Sequence, residues 1–367
     1  MQPMRFGIYG YGKVAELHAK SLASLSGGTD ALPGGALLAA VCGRGGPRRD
    51  AFAARWGIAS RSSAAEMAER DGVEAVVIAT PHPMHREHAS ECLEAGLHVL
   101  VEKPMALTLD DCDAMCDAAA RAGRSLGVVA QRRWYPSCRR VREAIDAGKL
   151  GTPALGQVVM LGWRDEAYYR SDPWRGSWAS EGGGVLVNQA PHQLDLISWY
   201  MGPVVEVSAY WANLNHPYIE VEDTAVAALR FAGGALGSIL VSNSQKPGIH
   251  AKVHVHGSGG ASAGVQTDGG AMFIAGMSGV LEPPYNDLWT VPGEESLIAE
   301  WKAEDEALFS RIDPTWHFFA RQVEDFAAAA REAREPAVSG RDGREAVRLM
   351  EAIYASGREG RPARPRP

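Results

Sequence analysis

Arg5-Phe6-Gly7-Ile8-Tyr9-Gly10-Tyr11-Gly12-Lys13-Val14-Ala15 sets a strand-length apolar run against a glycine turn and the first residues of an amphipathic stretch. That is the strand-turn-helix context in which G-x-G-x-x-G/A binds a dinucleotide. The first glycine permits the tight turn, and the second lets backbone approach a pyrophosphate. Ala15 is small enough for the helix to pack on the strand, and the helix N-terminus faces the phosphates. A glycine turn with no ligand is the bland alternative, and the βαβ units that follow weigh against it. Cofactor contacts are therefore expected from Gly10, Tyr11, Gly12, Lys13 and Val14.

Through residue 130, short apolar runs (Arg5 to Tyr9, Leu37 to Cys42, Ala75 to Ala79, Leu97 to Val101, Leu126 to Ala130) alternate with helical patterns (Val14 to Leu25, Met84 to Ala95, Leu109 to Ala122). Such alternation predicts a parallel sheet covered on both faces. Ser26 to Gly35 reads as a loop insertion. After residue 150 the runs alternate apolar with polar: Gln157 to Gly162, Val204 to Trp211, Thr224 to Phe231, Ala235 to Val241, Ala251 to His256 and Ala271 to Ile274. These predict a largely antiparallel open sheet, with a helix over Val187 to Tyr200 on one face. Trp316 to Ala330 and Gly343 to Tyr354 are further helical patterns. The fold class is α/β: a dinucleotide-binding Rossmann domain (1–130), an α+β substrate and oligomerisation domain (131–355), and a frayed Arg/Pro/Gly-rich tail (356–367).

With 367 residues the chain buries a large core without staples. A net charge of -7 argues against a nucleic-acid partner, and the absence of a long apolar stretch argues against a signal peptide or membrane span. Five cysteines without a CxxC pair suit reduced thiols in a cytoplasmic location. Cys112 and Cys116, four apart on a helical pattern, are read as packing residues, and no metal site is expected.

The end of the second strand chooses the cofactor, since an acid there holds a ribose 2′-hydroxyl whereas an arginine accommodates a 2′-phosphate. Here the strand ends in Gly43-Arg44, Arg48 and Arg49 follow, and the first acid is Asp50. NADP(H) is favoured, with NAD(H) as the alternative and a solvated basic loop as the bland reading. Glu102-Lys103-Pro104 ends the run Leu97 to Val101, which places Lys103 at the carboxyl edge of the sheet where open α/β sheets bind ligands.

Gly182-Gly183-Gly184-Val185-Leu186-Val187-Asn188-Gln189-Ala190-Pro191-His192-Gln193-Leu194-Asp195 is the second informative stretch. On a continuous helix Asn188, His192 and Asp195 share one face and present an amide, an imidazole and a carboxylate to one cavity. A capped or core His/Asp pair is the competing reading. Trp163-Arg164, Tyr168 and Trp174-Arg175 form a polar, aromatic stretch suited to a carbohydrate or cyclitol pocket, and equally to a structural loop with tryptophan anchors.

Taken in order, these motifs resemble the Gfo/Idh/MocA oxidoreductases, which include glucose-fructose oxidoreductase and inositol dehydrogenases. The resemblance rests on Gly7 to Gly12 with His18, on Ala79-Thr80-Pro81-His82 with His85, on Ala95 to Pro104, on Gly148 to Gly151 and on Gly182 to Asp195. It implies an active-site lysine at Lys103, held by Glu102 and Pro104, and a catalytic histidine at His192. It also implies cofactor contacts at Thr80, Pro81, His82, His85, Glu102, Gln131, Arg133 and Trp134, and a homo-oligomer, dimer or tetramer. His82, where many members carry asparagine, is equally readable as a solvated loop histidine. Inositol dehydrogenase-like members carry aspartate where this chain has Asn188. An amide orients a hydroxyl but does not share a proton, so Asp195 or solvent is expected to complete the proton path.

The expected activity is hydride transfer to or from a secondary alcohol of a sugar, glycoside or cyclitol, with His192 exchanging the hydroxyl proton and Lys103 polarising the oxygen, or these roles reversed. Two other classes use the same motifs. One is a redox-neutral glycoside-cleaving or epimerising enzyme with tightly held NAD; the other is a non-catalytic nucleotide sensor.

Overall fold

Short β-branched runs that are apolar on both faces find no satisfaction except in a sheet buried from both sides, and the first domain builds one. The structure, a computed structural model, describes residues 2–26, 35–269 and 283–367. Six parallel strands, β1 (Met4–Tyr9), β2 (Ala36–Cys42), β3 (Ala59–Arg61), β4 (Ala75–Ile78), β5 (His98–Val101) and β6 (Leu126–Val128), take the order β3-β2-β1-β4-β5-β6. Between them lie α1 (Lys13–Leu25), α2 (Pro47–Trp56), α3 (Ala64–Asp71), α4 (His85–Glu94) and α5 (Leu109–Ala122). The order reverses at β1 and β4, which opens the ligand crevice beside the glycine turn. The expected loop from Ser26 to Gly35 lies largely outside the described residues.

The second domain starts with α6 (Pro136–Asp146) and sets β7 (Pro153–Leu161) at the centre of a mixed sheet. Three short helices follow in the chain: α7 (Glu166–Arg170), α8 (Val185–Asn188) and α9 (Pro191–Met201). The remaining strands are β8 (Val204–Ala212), β9 (Thr224–Phe231), β10 (Leu236–Ser242), β11 (His250–Gly257), β12 (Ser262–Gly269) and β13 (Tyr285–Trp289), in the order β13-β12-β11-β7-β10-β9-β8. Among the described strands of this sheet, only β7 and β10 pair in parallel. The strand expected over Ala271 to Ile274 lies outside the described residues. On one face α9 packs so closely that a Cβ on Gly156 of β7 would fall 2.8 Å from Ile197 Cδ1. The opposite face leaves Leu155, Tyr210, Val226, Leu236 and Leu240 exposed, Tyr210 to 81%. Cross-strand register puts Tyr210, Val226 and Leu240 in one row, and Leu236 beside Leu155 two rows away on the same face, past the row of Ser238.

The rest of the chain adds α10 (Leu297–Phe309), α11 (His317–Glu332) and α12 (Gly340–Glu359). Two compact units result, but their boundary departs from a simple division at residue 130. Trp316–Val347 groups with the nucleotide-binding unit, and Arg348–Pro367 with the other. The cause is packing around Phe326, which joins the core holding Phe6 and Ile8 and would touch any side chain at Gly127, where a Cβ would lie 2.9 Å from its ring. Gln322 adds two bonds, donating to the Val128 carbonyl at 2.7 Å and accepting from the Ala130 N–H at 2.9 Å. The expected frayed tail is also corrected. Helix α12 runs through to Glu359, and beyond it Ala363 exchanges both backbone bonds with Val207 of β8, at 2.8 and 2.9 Å.

Candidate active site

The glycine turn is wedged between two strand ends. Gly10 donates its N–H to the Cys42 carbonyl at 2.9 Å, and its φ of 108° with a Cβ position 2.8 Å from the Ala79 carbonyl oxygen excludes any other residue. Gly12 caps α1 and opens on free space, since a Cβ there would meet nothing within 4 Å. Together they floor a cleft of about 420 Å³ lined by Tyr9, Gly10, Tyr11, Gly12, Gly43, Arg44, Arg48, Ala79, Thr80, Pro81, Met84 and His88. A bare backbone cradle under a helix N-terminus fits a pyrophosphate. Lys13 and Val14 stand exposed on the first helical turn, outside that lining.

The basic end of the cleft has two arginines and no acid. The Tyr11 hydroxyl donates to the Arg44 carbonyl at 3.1 Å, and the Arg48 guanidinium stands 5.9 Å from the Tyr11 ring centroid. Arg49 is spent on structure, donating to Ser60 Oγ at 2.8 Å and to the Arg61 carbonyl at 2.9 Å. Asp50 accepts from Ser60 Oγ at 2.6 Å and does not line the cleft.

His85 and Glu102, expected beside the cofactor, are both buried and bonded within the protein. His85 sets its two ring nitrogens 2.9 Å from the carbonyls of Thr80 and Pro104, which ties the loop after β4 to the loop after β5. Burial lowers its pKa against the pull of those carbonyls. Glu102 lies 2.8 Å from His18 Nε2 through one oxygen and accepts the Lys103 backbone N–H at 3.1 Å through the other. Lys103 is half-buried immediately after β5, and its peptide bond to Pro104 is cis. His82 lies in the single 3-10 turn His82–Met84 with its ring 5.7 Å from that of His85. His88 was not foreseen, though it lies one helical turn beyond His85. Its ring stacks on Tyr9 at 3.9 Å and its Nδ1 lies 2.9 Å from Thr80 Oγ1.

Gln131 and Trp134 sit at the ends of the 3-10 turn Gln131–Trp134, the first closing the nucleotide-binding unit and the second already in its neighbour. In the second unit the expected continuous helix over Val187 to Tyr200 is broken. Pro191 has no N–H to donate and its ring crowds the carbonyl four residues back, so α8 stops at Asn188 and α9 begins anew. Asn188, His192 and Asp195 therefore do not share a helix face. Asn188 donates its amide to Glu181, which also accepts the Gly176 N–H at 2.6 Å. His192 stands in the first turn of α9, partly exposed. Asp195, three residues on in α9, forms a buried two-bond pair with Arg133, at 2.9 and 2.6 Å. Arg133 in turn stacks 5.2 Å over Trp199.

The aromatic stretch is organised around Tyr168. Its hydroxyl accepts from Gln189 Nε2 at 3.1 Å and from Arg175, and the guanidinium carbons of Arg164 and Arg175 stand 5.0 and 4.2 Å from its ring centroid. Trp174 lies under Arg175 at 4.5 Å, and Trp163 packs on His216 at 5.6 Å. Two buried groups that sequence patterns did not single out brace this wall. His216 is fully buried with Nδ1 2.7 Å from Asp223 and Nε2 2.8 Å from the Arg164 carbonyl. Glu222 accepts the Gly184 and Leu186 N–H groups at 2.8 and 3.0 Å and the Tyr354 hydroxyl at 2.9 Å, while burial pushes its pKa up to about 7. Gly184 is obligatory there, since a Cβ would fall 1.8 Å from the Glu222 carbonyl oxygen.

Residues 4–130 match the oxidoreductase family with an NAD-binding Rossmann fold, and residues 138–263 match the GFO/IDH/MocA C-terminal domain. Fold and cleft together define an oxidoreductase that works with a nicotinamide dinucleotide. The myo-inositol 2-dehydrogenase of Thermotoga maritima is 30% identical across 70% of this chain and 74% of its own. The inositol 2-dehydrogenase of Rhizobium meliloti is 28% identical across 96% of both. Among solved structures, the WlbA dehydrogenase from Bordetella pertussis in complex with NADH and UDP-GlcNAcA superposes with a TM-score of 0.84 at 30% identity, covering 99% of this chain and 98% of that one. The chain belongs to the GFO/IDH/MocA oxidoreductase family.

The His216–Asp223 pair gives the site a pH signature. Burial works against both charges, but their mutual hydrogen bond raises the histidine and lowers the aspartate. A raised histidine stabilises below its unfolded value of about 6.5 and loses that contribution as pH climbs; a lowered aspartate stabilises above about 3.9 and loses it as pH falls. The melting-temperature gap between wild type and Asp223→Asn is therefore expected to be widest between about pH 4 and 6.5, and thermal melts across pH check it.

Proposed function

We propose that the protein transfers hydride between a secondary-alcohol carbon of a sugar, glycoside or cyclitol and the nicotinamide of NADP(H), in the cytoplasm. The observation that carries this reading is the glycine-floored cleft beside β1 and β4 with Lys103 at the end of β5 in the same unit. The inositol dehydrogenases among the relatives support the substrate class. When bound, the nicotinamide supplies the hydride acceptor or donor. Gly10 and Gly12 hold the pyrophosphate with backbone alone, and the α1 N-terminus adds its dipole. Lys103 polarises the substrate oxygen and His192 exchanges the hydroxyl proton, its imidazole being suited to neutral pH without tuning. Asn188 orients a neighbouring hydroxyl; with Asp195 committed to Arg133, no carboxylate relay is assigned.

The cofactor preference rests on Arg44 and Arg48 lining the cleft where no acid does. The exposed apolar rows on the second sheet support a homo-oligomer, dimer or tetramer, because a monomer gains nothing by wetting Tyr210, Val226, Leu236 and Leu240 together.

Three outcomes follow from this reading. Lys103→Ala and His192→Ala each keep the fold and cofactor affinity while slowing hydride transfer about 100-fold or more, measured by single-turnover nicotinamide absorbance; retained rates in both variants refute the assignment. NADP(H) gives the higher kcat/KM, and Arg48→Ala narrows its lead over NAD(H) about tenfold; a lead for NAD(H) in the wild type refutes the preference. Light scattering gives a dimer or tetramer, and Leu240→Glu shifts it toward monomer.

A further inference from the structure

We infer that the nucleotide-binding unit carries a second ligand site, at the edge of its sheet opposite the cofactor cleft, for a small organic anion that presents a phosphate or a carboxylate to Arg124 and Arg341. This goes beyond the reading above and holds whatever the substrate is. A cavity of about 520 Å³ lies at that edge, and every residue of its lining belongs to this one unit. Its size is that of a small-molecule site. Strands β5 and β6 begin at it with His98 and Leu126, whereas the glycine-floored cleft lies at the carboxyl ends of β1 and β4.

Two guanidiniums of the lining are not used by the fold. Among the described residues, neither Arg124 nor Arg341 makes a side-chain hydrogen bond or an ion pair. The helix ends around them are already closed. The Ala119 and Ala120 carbonyls at the end of α5 accept the backbone N–H groups of Arg124 and Gly123, at 3.0 and 3.2 Å. Ser339 caps α12 by donating its N–H and its hydroxyl to Asp342, at 2.9 and 2.7 Å. Arg334, the third arginine of the lining, is by contrast committed to Glu332 at 2.8 Å and to Asp325 at 2.9 Å. Glu335 is the single acid among the lining residues, and Asp117 stands exposed on α5 outside them. In a chain of net charge -7, this leaves two unpaired arginines facing one cavity with one carboxylate between them.

His98 adds a donor of known polarity. Ser125 donates its backbone N–H to His98 Nδ1 at 3.0 Å, so the proton of the neutral imidazole sits on Nε2. Burial, and then the Arg124 charge, hold the ring's pKa below the ordinary histidine value, which keeps it neutral near pH 7. Arg124 folds back over the residues that lead into β5, since a Cβ on Gly96 would lie 3.8 Å from its Nη2. A guanidinium fork and an imidazole N–H at one end of a cavity match the oxygens of a phosphate or a carboxylate. Ala119, Leu126, Ala330 and Pro336 supply the apolar wall that a ligand's hydrocarbon body requires.

The test is calorimetric, on protein saturated with nicotinamide dinucleotide so that the glycine-floored cleft is filled. Phenyl phosphate, benzoate and benzyl alcohol share a ring and differ in the group it carries. At least one of the two anions is expected to bind about tenfold or more tightly than the alcohol, and which anion leads names the group. Arg124→Met and Arg341→Met each weaken that anion about tenfold and leave the melting temperature of the anion-free protein unchanged, because neither guanidinium holds the fold. Arg48→Ala, which alters the cofactor cleft, leaves the anion's affinity as it is. Anions bound no more tightly than benzyl alcohol, an affinity untouched in both methionine variants, or an affinity lost in Arg48→Ala alone would each overturn the inference. All three results leave the oxidoreductase reading in place.

Discussion

A carboxylate sealed from water holds the nucleotide-binding unit in working order. Glu102 is 8% exposed, and burial alone would push its pKa up. The hydrogen bond and charge of His18, followed by the charge and backbone N–H of Lys103, keep it below the usual carboxylate value. One oxygen meets α1, the helix that begins at the glycine turn; the other meets the backbone of the residue that ends β5. The same group thus sets both the helix whose N-terminus faces the cleft and the position of Lys103. Removing one partner would strand the other in a dry interior, a cost that burial makes large. His85 repeats the device one layer out by joining the carbonyls of Thr80 and Pro104.

The second unit holds its loops with the same device. Glu222 gathers the N–H groups of Gly184 and Leu186, which fixes the entry to α8, and Tyr354 of α12 closes over it. Pro191 then ends one helix and starts another, so His192 comes from a first helical turn rather than from mid-helix. His216 and Asp223 lock the aromatic stretch from behind. Both units therefore place their more exposed polar residues by means of buried ones that are bonded within the protein.

That division explains what sequence patterns conveyed and what they concealed. The parallel strands were legible because β4 and β5 are apolar on both faces, and the glycine turn because Gly10 tolerates no substitute. The three-residue edge strand β3 is too short to carry a period, and the grouping of α11 with the first unit was not legible because nothing local ties Phe326 to Gly127, some two hundred residues earlier. The internal partners of His85, Glu102 and Asp195 were not legible for one reason. A polar residue in a site motif looks the same whether its partner is a ligand or a distant side chain such as Arg133. The break at Pro191 was visible in principle, but the run Val185 to Leu196 keeps its apolar period across it. The tail misled by composition, since Arg, Pro and Gly do not announce the backbone pairing of Ala363 with Val207.

The central claim is that the glycine-floored cleft and the lysine that follows β5 serve a redox step at a carbinol carbon. The most direct measurement follows the carbinol hydrogen itself: a ring polyol deuterated at each carbinol carbon is incubated with the enzyme and oxidised cofactor, and both products are analysed by NMR and mass spectrometry. The account predicts deuterium at nicotinamide C4 and its loss from one carbinol carbon that has become a carbonyl. Deuterium appearing in solvent, or product formed with the label still on carbon and the cofactor unlabelled, would contradict it.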